Sequence, residues 1–172
     1  MVTPEVIYQK QILSPHLNIE YFDVLKKWKE IIMDAENNKK VVREFYEIVF
    51  QKHDLNAVSR YMHEDYIQHN PDADQGMKGF IEFHEGFFAA IPDSCSTIKR
   101  MVAEDDIVFV YNKITGTHIG EGFLDYQPTG NKINYDVVDM FRLRDGKLCE
   151  HWDVADTRAL FTQVGGLKEI IR

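Results

Sequence analysis

The 172-residue sequence has only two cysteines, no Cys-x-x-Cys pair and no His-Glu-x-x-His run. Those absences exclude a disulfide framework and give no support for a zinc site, so no metal is expected. Cys95 and Cys149 are expected to be reduced, in or near the core of a cytoplasmic protein. No apolar run approaches the roughly 20 residues of a membrane span. The opening residues, with Pro4 and Glu5, lack a charged-then-apolar leader, so the expected location is the cytoplasm and no membrane partner is expected. Basic charge is in deficit too: 20 Lys and Arg against 28 Asp and Glu leave a net charge of −8. That sign argues against a nucleic-acid partner, and Lys26, Lys27 and Lys29 sit among acidic neighbours as a solvated helix face. Internal repeats, linkers and low-complexity stretches are missing as well. What is present, 44% hydrophobic and 28% charged residues, suits one soluble domain with a full core.

Helices are expected first along the chain. Residues 1–36 read as an N-terminal helical extension, with Ser14-Pro15 as a helix start. Ile19, Phe22, Leu25, Trp28 (or Lys29) and Ile32 recur there at helical spacing. Asn37-Asn38 punctuates the chain, and a second helix carries Val42, Phe45 and Val49. His53-Asp54 ends it, with His53 exposed and Asp54 capping a short helix. Residues 66–71, Tyr-Ile-Gln-His-Asn-Pro, read as a short strand with His69 on the face of Ile67. A helix over residues 77–91 then lines up Phe80, Phe83, Phe87 and Ile91, with His84 and Phe88 beside them. Such a stripe serves either as core or as the floor of a cavity.

After Pro92 the pattern turns to strands, over residues 95–104, 107–118, 133–143 and 148–155. Asp145-Gly146 forms a hairpin turn between the last two. Asp156 caps a final helix through Leu160 and Phe161. Helices followed by a meander give an α+β domain with a curved, antiparallel-rich sheet wrapped around helices.

The most informative stretch is 133–143. Its odd positions are Ile133, Tyr135, Val137, Asp139, Phe141 and Leu143; the even positions are mostly polar. One face is thus apolar except for a carboxylate at its middle. A lone buried carboxylate must take a proton, find a donor or line a cavity. Asp139 is either an acid-base catalyst whose pKa is raised by an apolar hollow or a structural residue paired with an arginine or a backbone amide.

Several motifs in order resemble one family. Tyr66-Ile67-Gln68-His69-Asn70-Pro71, Gly116-Thr117-His118, Gln127-Pro128-Thr129-Gly130 and the run from Asp145 to Asp153 are similar to signatures of SnoaL-like proteins. These are a branch of the nuclear-transport-factor-2-like superfamily. The resemblance covers residues 37–172 and implies a cone-shaped mixed sheet closed by helices around an apolar cavity. Polyketide cyclases of this family use a strand aspartate, without metal or cofactor, to close a ring by an intramolecular aldol reaction. The resemblance places that role on Asp139, with His118 and His69 assisting. Tyr135, Phe141, Phe83, Phe87 and His84 are the expected substrate-binding lining, joined by His151, Trp152 and Asp153 at the rim or walls. The implied partner is a small apolar or aromatic carbonyl substrate, and the implied assembly is a homodimer using the face of Val138 and Met140.

Gly122-Phe123-Leu124-Asp125-Tyr126 departs from the family's small-apolar run and predicts a more polar wall. Two other readings use the same cavity: isomerase, hydratase or epoxide-hydrolase chemistry, and non-catalytic binding of an apolar metabolite in a stress-related role. Convergence of Asp139, His118 and His69 on one cavity would favour catalysis.

Overall fold

A computed structural model describes residues 15–122 and 127–166, with side chains from residue 21 onward. Ser14, the Ile19 side chain and the Phe123–Tyr126 part of the predicted polar wall lie outside what is described. The chain divides into two compact units, residues 1–34 and 35–172.

In the first unit, the part of helix α1 (Pro15–Phe45) up to Asp34 exposes Phe22, Leu25, Trp28 and Ile32, four of the predicted stripe. The predicted break at Asn37-Asn38 is absent, because α1 runs unbroken to Phe45. Asparagine costs a helix only tenths of a kcal/mol relative to good helix formers. Ala35, Lys39 and Lys40 are such formers, and Glu36 pairs with Lys39 at 2.6 Å.

Within the second unit, α1 passes directly into a π-helical turn, Tyr46–Gln51. A short 3₁₀ turn (Leu55–Ala57) and helix α2 (Val58–Tyr61) lead to strand β1 (Met62–Gln68). Asp54 makes no capping bond and pairs with Arg60 at 3.6 Å instead. Helix α3 (Gly76–Ala90) stops just before Pro92. Four strands follow: β2 (Cys95–Glu104), β3 (Ile107–Thr117), β4 (Lys132–Arg144) and β5 (Lys147–Ala155). Helix α4 (Thr157–Gln163) is capped as expected, with Asp156 Oδ1 accepting from the Ala159 amide at 2.9 Å.

The strands form one mixed sheet in the order β1-β5-β4-β3-β2, in which only the β1–β5 pair is parallel. The β4–β5 turn places Asp145 at φ +51° and Gly146 at φ +72°, the conformation that Asp-Gly hairpin turns favour. Register shifts interrupt β2 after Ile98 and β4 after Arg142, and such bulges bend a sheet.

Buried alternation on β4 follows the sequence pattern: Ile133, Tyr135, Val137, Asp139, Phe141 and Leu143 all point inward. Phe141 and Leu143 meet Phe45, Tyr46 and Val49 from the helical segment and Phe80 from α3 in the main core. A second cluster joins Phe87, Ile91, Tyr135 and Leu160. The two clusters flank the middle of β4, which is where Asp139 sits.

The parity of β1 differs from the expectation. Tyr66 and Gln68 are buried, whereas Ile67 is 47% exposed and His69 is exposed. Gln68 can be buried because its side chain is satisfied: it accepts from the Asn70 amide at 3.0 Å and reaches Tyr66 Oη at 3.3 Å. Cys149 is buried and Cys95 exposed, both as free thiols. His53 is half-buried, stacked on Phe88 with ring centroids 4.0 Å apart and bonded to Ser94 O at 3.0 Å. Among the described residues no helix is long and apolar enough to cross a membrane.

Candidate active site

Between α3, the ends of the strands and α4 lies a cavity of about 370 Å³, within the size range of small-molecule sites. Phe80, Phe83, Phe87 and Phe88 from α3, Phe50 from the π turn and Tyr135 from β4 give it an aromatic wall, and polar groups include Asp139, His151, Asp153, Asn112 and Asn70. Asp139 and Asp153 are register partners on β4 and β5, and His151 lies two residues earlier on β5. The period of two puts all three on the cavity face.

Asp139 is held by a closed network. Its Oδ2 accepts from Tyr46 Oη and from Asn112 Nδ2, the latter at 2.7 Å. Asn112 is fixed in turn by Ser96 Oγ, which donates to its Oδ1 at 2.9 Å. His151 Nε2 lies 3.0 Å from Asp139 Oδ1, and its Nδ1 lies 3.1 Å from Gln68 Oε1. Because Gln68 Oε1 also accepts from the Asn70 amide, it is a carbonyl oxygen and His151 Nδ1 must donate to it. With Nδ1 committed to Gln68, a single proton lies between His151 Nε2 and Asp139 Oδ1. Phe141 stacks on the His151 ring at 4.6 Å and 18°, fixing its plane.

Asp153 is tied down differently. Asn70 Nδ2 donates to its Oδ2 at 3.1 Å, while its Oδ1 is buried with no partner among the described residues. Burial is the largest influence on this carboxyl and raises its pKa; His151 opposes the shift and the Asp139 charge adds to it. Tyr135 also lines the cavity, and burial followed by the Asp139 charge pushes its hydroxyl far up, so it stays protonated. Burial, then Asp139, does the same to Tyr46.

Residues 40–164 match the sequence model of the SnoaL-like polyketide cyclase family. The chain belongs to the SnoaL-like polyketide cyclase family. No curated protein matches it. Among solved structures it is similar to AclR from Streptomyces galilaeus, a candidate hydroxylase, at 29% identity and TM-score 0.71, covering 80% of this chain and 91% of that one. IdmH from Streptomyces antibioticus, a candidate polyketide cyclase, is 25% identical with TM-score 0.63, over 74% of this chain and 98% of that one. TsrD from Streptomyces laurentii shares the fold at 22% identity and TM-score 0.70, over 77% and 97%. The nuclear-transport-factor-2-like architecture expected from the motifs is therefore the fold of this SnoaL-like protein, and membership points to small-molecule enzymes.

The SnoaL-like cavity gathers Asp139, Tyr135, Phe83, Phe87, His84, His151 and Asp153. It does not gather the other four expected residues. His118 is fully buried away from the lining, its Nδ1 3.2 Å from Thr129 Oγ1 and its Nε2 without a partner among the described residues. His69 turns outward because of the β1 parity, bonds Glu150 at 2.8 Å and stacks on Trp152 at 4.5 Å. Trp152 shares that outer side, with the Arg142 guanidinium 5.3 Å above its ring. Phe141 is core, packed against the rings of His151 and Tyr46 behind the site. The convergence of Asp139, His118 and His69 thus does not occur; His151 and Asp153 stand beside Asp139 instead.

Sequence reasoning missed Tyr46, Asn112, Gln68 and Asn70. The available signal was parity: Asn112 is the polar exception among buried Val108 and Val110 on β3, as Asp139 is on β4. Among the described residues no group of three or more His, Cys, Asp and Glu side chains is arranged to hold a metal.

Proposed function

We propose that this SnoaL-like protein moves a proton at a carbon beside a carbonyl of a small apolar or aromatic substrate, and so closes a ring by aldol addition. The observation that carries the reading is Asp153: a cavity-lining carboxylate with one oxygen anchored, the other unpaired, and its basicity raised by burial. A base poised nearer neutrality is what abstraction of an activated C–H proton needs.

Asp153 takes the proton, leaving an enolate whose oxygen accepts from the Tyr135 hydroxyl. That hydroxyl lines the cavity and makes no hydrogen bond among the described residues. The enolate carbon adds to a second carbonyl, forming the C–C bond, and the new alkoxide recovers the proton from Asp153. Protons and electrons balance within the substrate and one carboxyl, so the cycle is redox-neutral. The Asp139–His151 pair, saturated by Tyr46, Asn112 and Gln68, serves as a fixed internal dipole that orients the β5 face. Aromatic walls fold a flat substrate so that nucleophile and carbonyl meet.

The test uses 2-tetralone, an aromatic ketone small enough for the cavity, in deuterium oxide. Exchange of its C1 protons, followed by proton NMR, should be accelerated by the wild-type protein and lost in Asp153→Asn. Binding of 2-tetralone without accelerated exchange would favour a non-catalytic ligand-binding protein.

A further inference from the structure

His84 lines the same cavity but takes no part in the network around Asp139. Its Nδ1 lies 2.8 Å from the Phe80 carbonyl, four residues back along α3. A carbonyl only accepts, so Nδ1 carries the hydrogen and fixes the tautomer. The other ring nitrogen, Nε2, is left as a bare lone pair with no partner among the described residues. The ring is packed among aromatic neighbours that also form the wall: Phe80 at 4.0 Å, Phe50 and Phe83 at 5.2 Å, and Phe88 at 5.8 Å between centroids. Burial pushes its pKa down to about 4, outweighing the Phe80 bond and the distant pull of Asp139. The imidazole is therefore neutral at physiological pH, an acceptor rather than a cation.

We propose that His84 is a specificity-determining residue whose Nε2 accepts a hydrogen bond from a hydroxyl on a planar aromatic substrate seated against Phe50, Phe80, Phe83 and Phe88. The cavity would then select phenolic substrates over their deoxy counterparts. A hydroxyl that meets a lone pair in an aromatic-walled pocket gains a hydrogen bond, whereas an unhydroxylated ring leaves the acceptor unpaired. This deepens the functional reading above and rests on the same cavity, but it concerns binding and needs no turnover.

The experiment compares 2-naphthol with naphthalene by fluorescence titration. Wild-type protein should bind 2-naphthol about tenfold tighter, the size of one net hydrogen bond. In His84→Phe the ratio should fall to about one with naphthalene affinity kept, and in His84→Gln, which restores an acceptor, it should recover several-fold. An unchanged ratio in a folded His84→Phe overturns the proposal. A readout on the unaltered protein guards against a variant that fails to fold. The ¹⁵N resonance of the unprotonated His84 nitrogen, assigned by its loss in His84→Gln, should move upfield on adding 2-naphthol and stay put with naphthalene. No movement with bound 2-naphthol overturns the proposal equally. Asp153→Asn separates the two ideas: it should lose exchange of 2-tetralone while keeping the naphthol preference.

Discussion

Replacing Asp153 by asparagine should make the protein inactive and more stable at once. Its carboxyl is partly buried, one oxygen lacks a partner, and its pKa is raised chiefly by that burial. The native state therefore holds this proton more tightly than the unfolded chain does. Such a group is fully stabilising below its unfolded pKa, and that contribution is lost as pH rises through the folded value. At neutral pH the charged form is a net cost. An unsatisfied buried acceptor costs about 1–3 kcal/mol; partial solvent contact argues for the low end, about 1 kcal/mol. A neutral amide of the same shape keeps the Asn70 bond through its oxygen and removes the buried charge, the part of the cost that burial imposes on the ionised form. For a chain of this length the gain corresponds to about 2–4 °C in Tm. Urea unfolding at pH 7.5 should show the variant ahead, and at pH 4 the gap should narrow as wild-type Asp153 takes up its proton. A variant less stable at both pH values, or a gap indifferent to pH, would refute the reasoning. Exchange of 2-tetralone should fall by about 10²–10⁴, the range of general-base contributions.

Tyr46→Phe removes one of three donors from Asp139 and should cost about 1.5–3 kcal/mol in urea unfolding, as for hydrogen bonds to charged groups. His69→Ala, on the outer side of the sheet, should leave 2-tetralone exchange within about twofold of wild type; a loss of a hundredfold would restore His69 to the chemistry. Gly120→Ala should cost about 3 kcal/mol, because the added Cβ would lie 2.0 Å from the Ala89 carbonyl oxygen and the backbone must shift. Exchange should decline on acidification at a pH above the usual carboxylate range, since the base acts only when ionised and its pKa is raised. A profile flat down to pH 4 would count against Asp153.

The sheet was legible because its strands are half-buried and alternate. On β4 a one-residue slip would have exposed five apolar side chains, so the inward face could be read and Asp139 found on it. Asp145-Gly146 fixed the hairpin, but its register alone would set Trp152 opposite Asp139; the bulge after Arg142, which the sequence did not reveal, shifts the pairing by one and brings Asp153 there. On β1 the same reasoning chose the wrong face. Hydrophobicity put Ile67 inside, whereas burial of Gln68 depends on partners at His151 and Asn70 that lie far along the chain or past the strand. His118 was suggested by its motif, but only the tertiary structure shows it shut behind Thr129. The closed network around Asp139 was beyond the sequence for the same reason. Its helical donor comes from a distant segment, Tyr46 to Asp139 across 93 positions.

The wide helical turn at Tyr46–Gln51 carries a consequence for how this scaffold tolerates change. A π turn holds one residue more than an α turn for each closed hydrogen bond. Deleting a single residue there would let the segment tighten into an ordinary helix, with its two flanks kept roughly in phase but the residues inside the turn carried to new faces. Phe50 and Tyr46 would no longer face the sheet together, and the phenol now bound to Asp139 would be carried off the carboxylate. The segment is thus sensitive to length more than to composition: conservative swaps along it should be absorbed, while one missing residue would dismantle the site from behind.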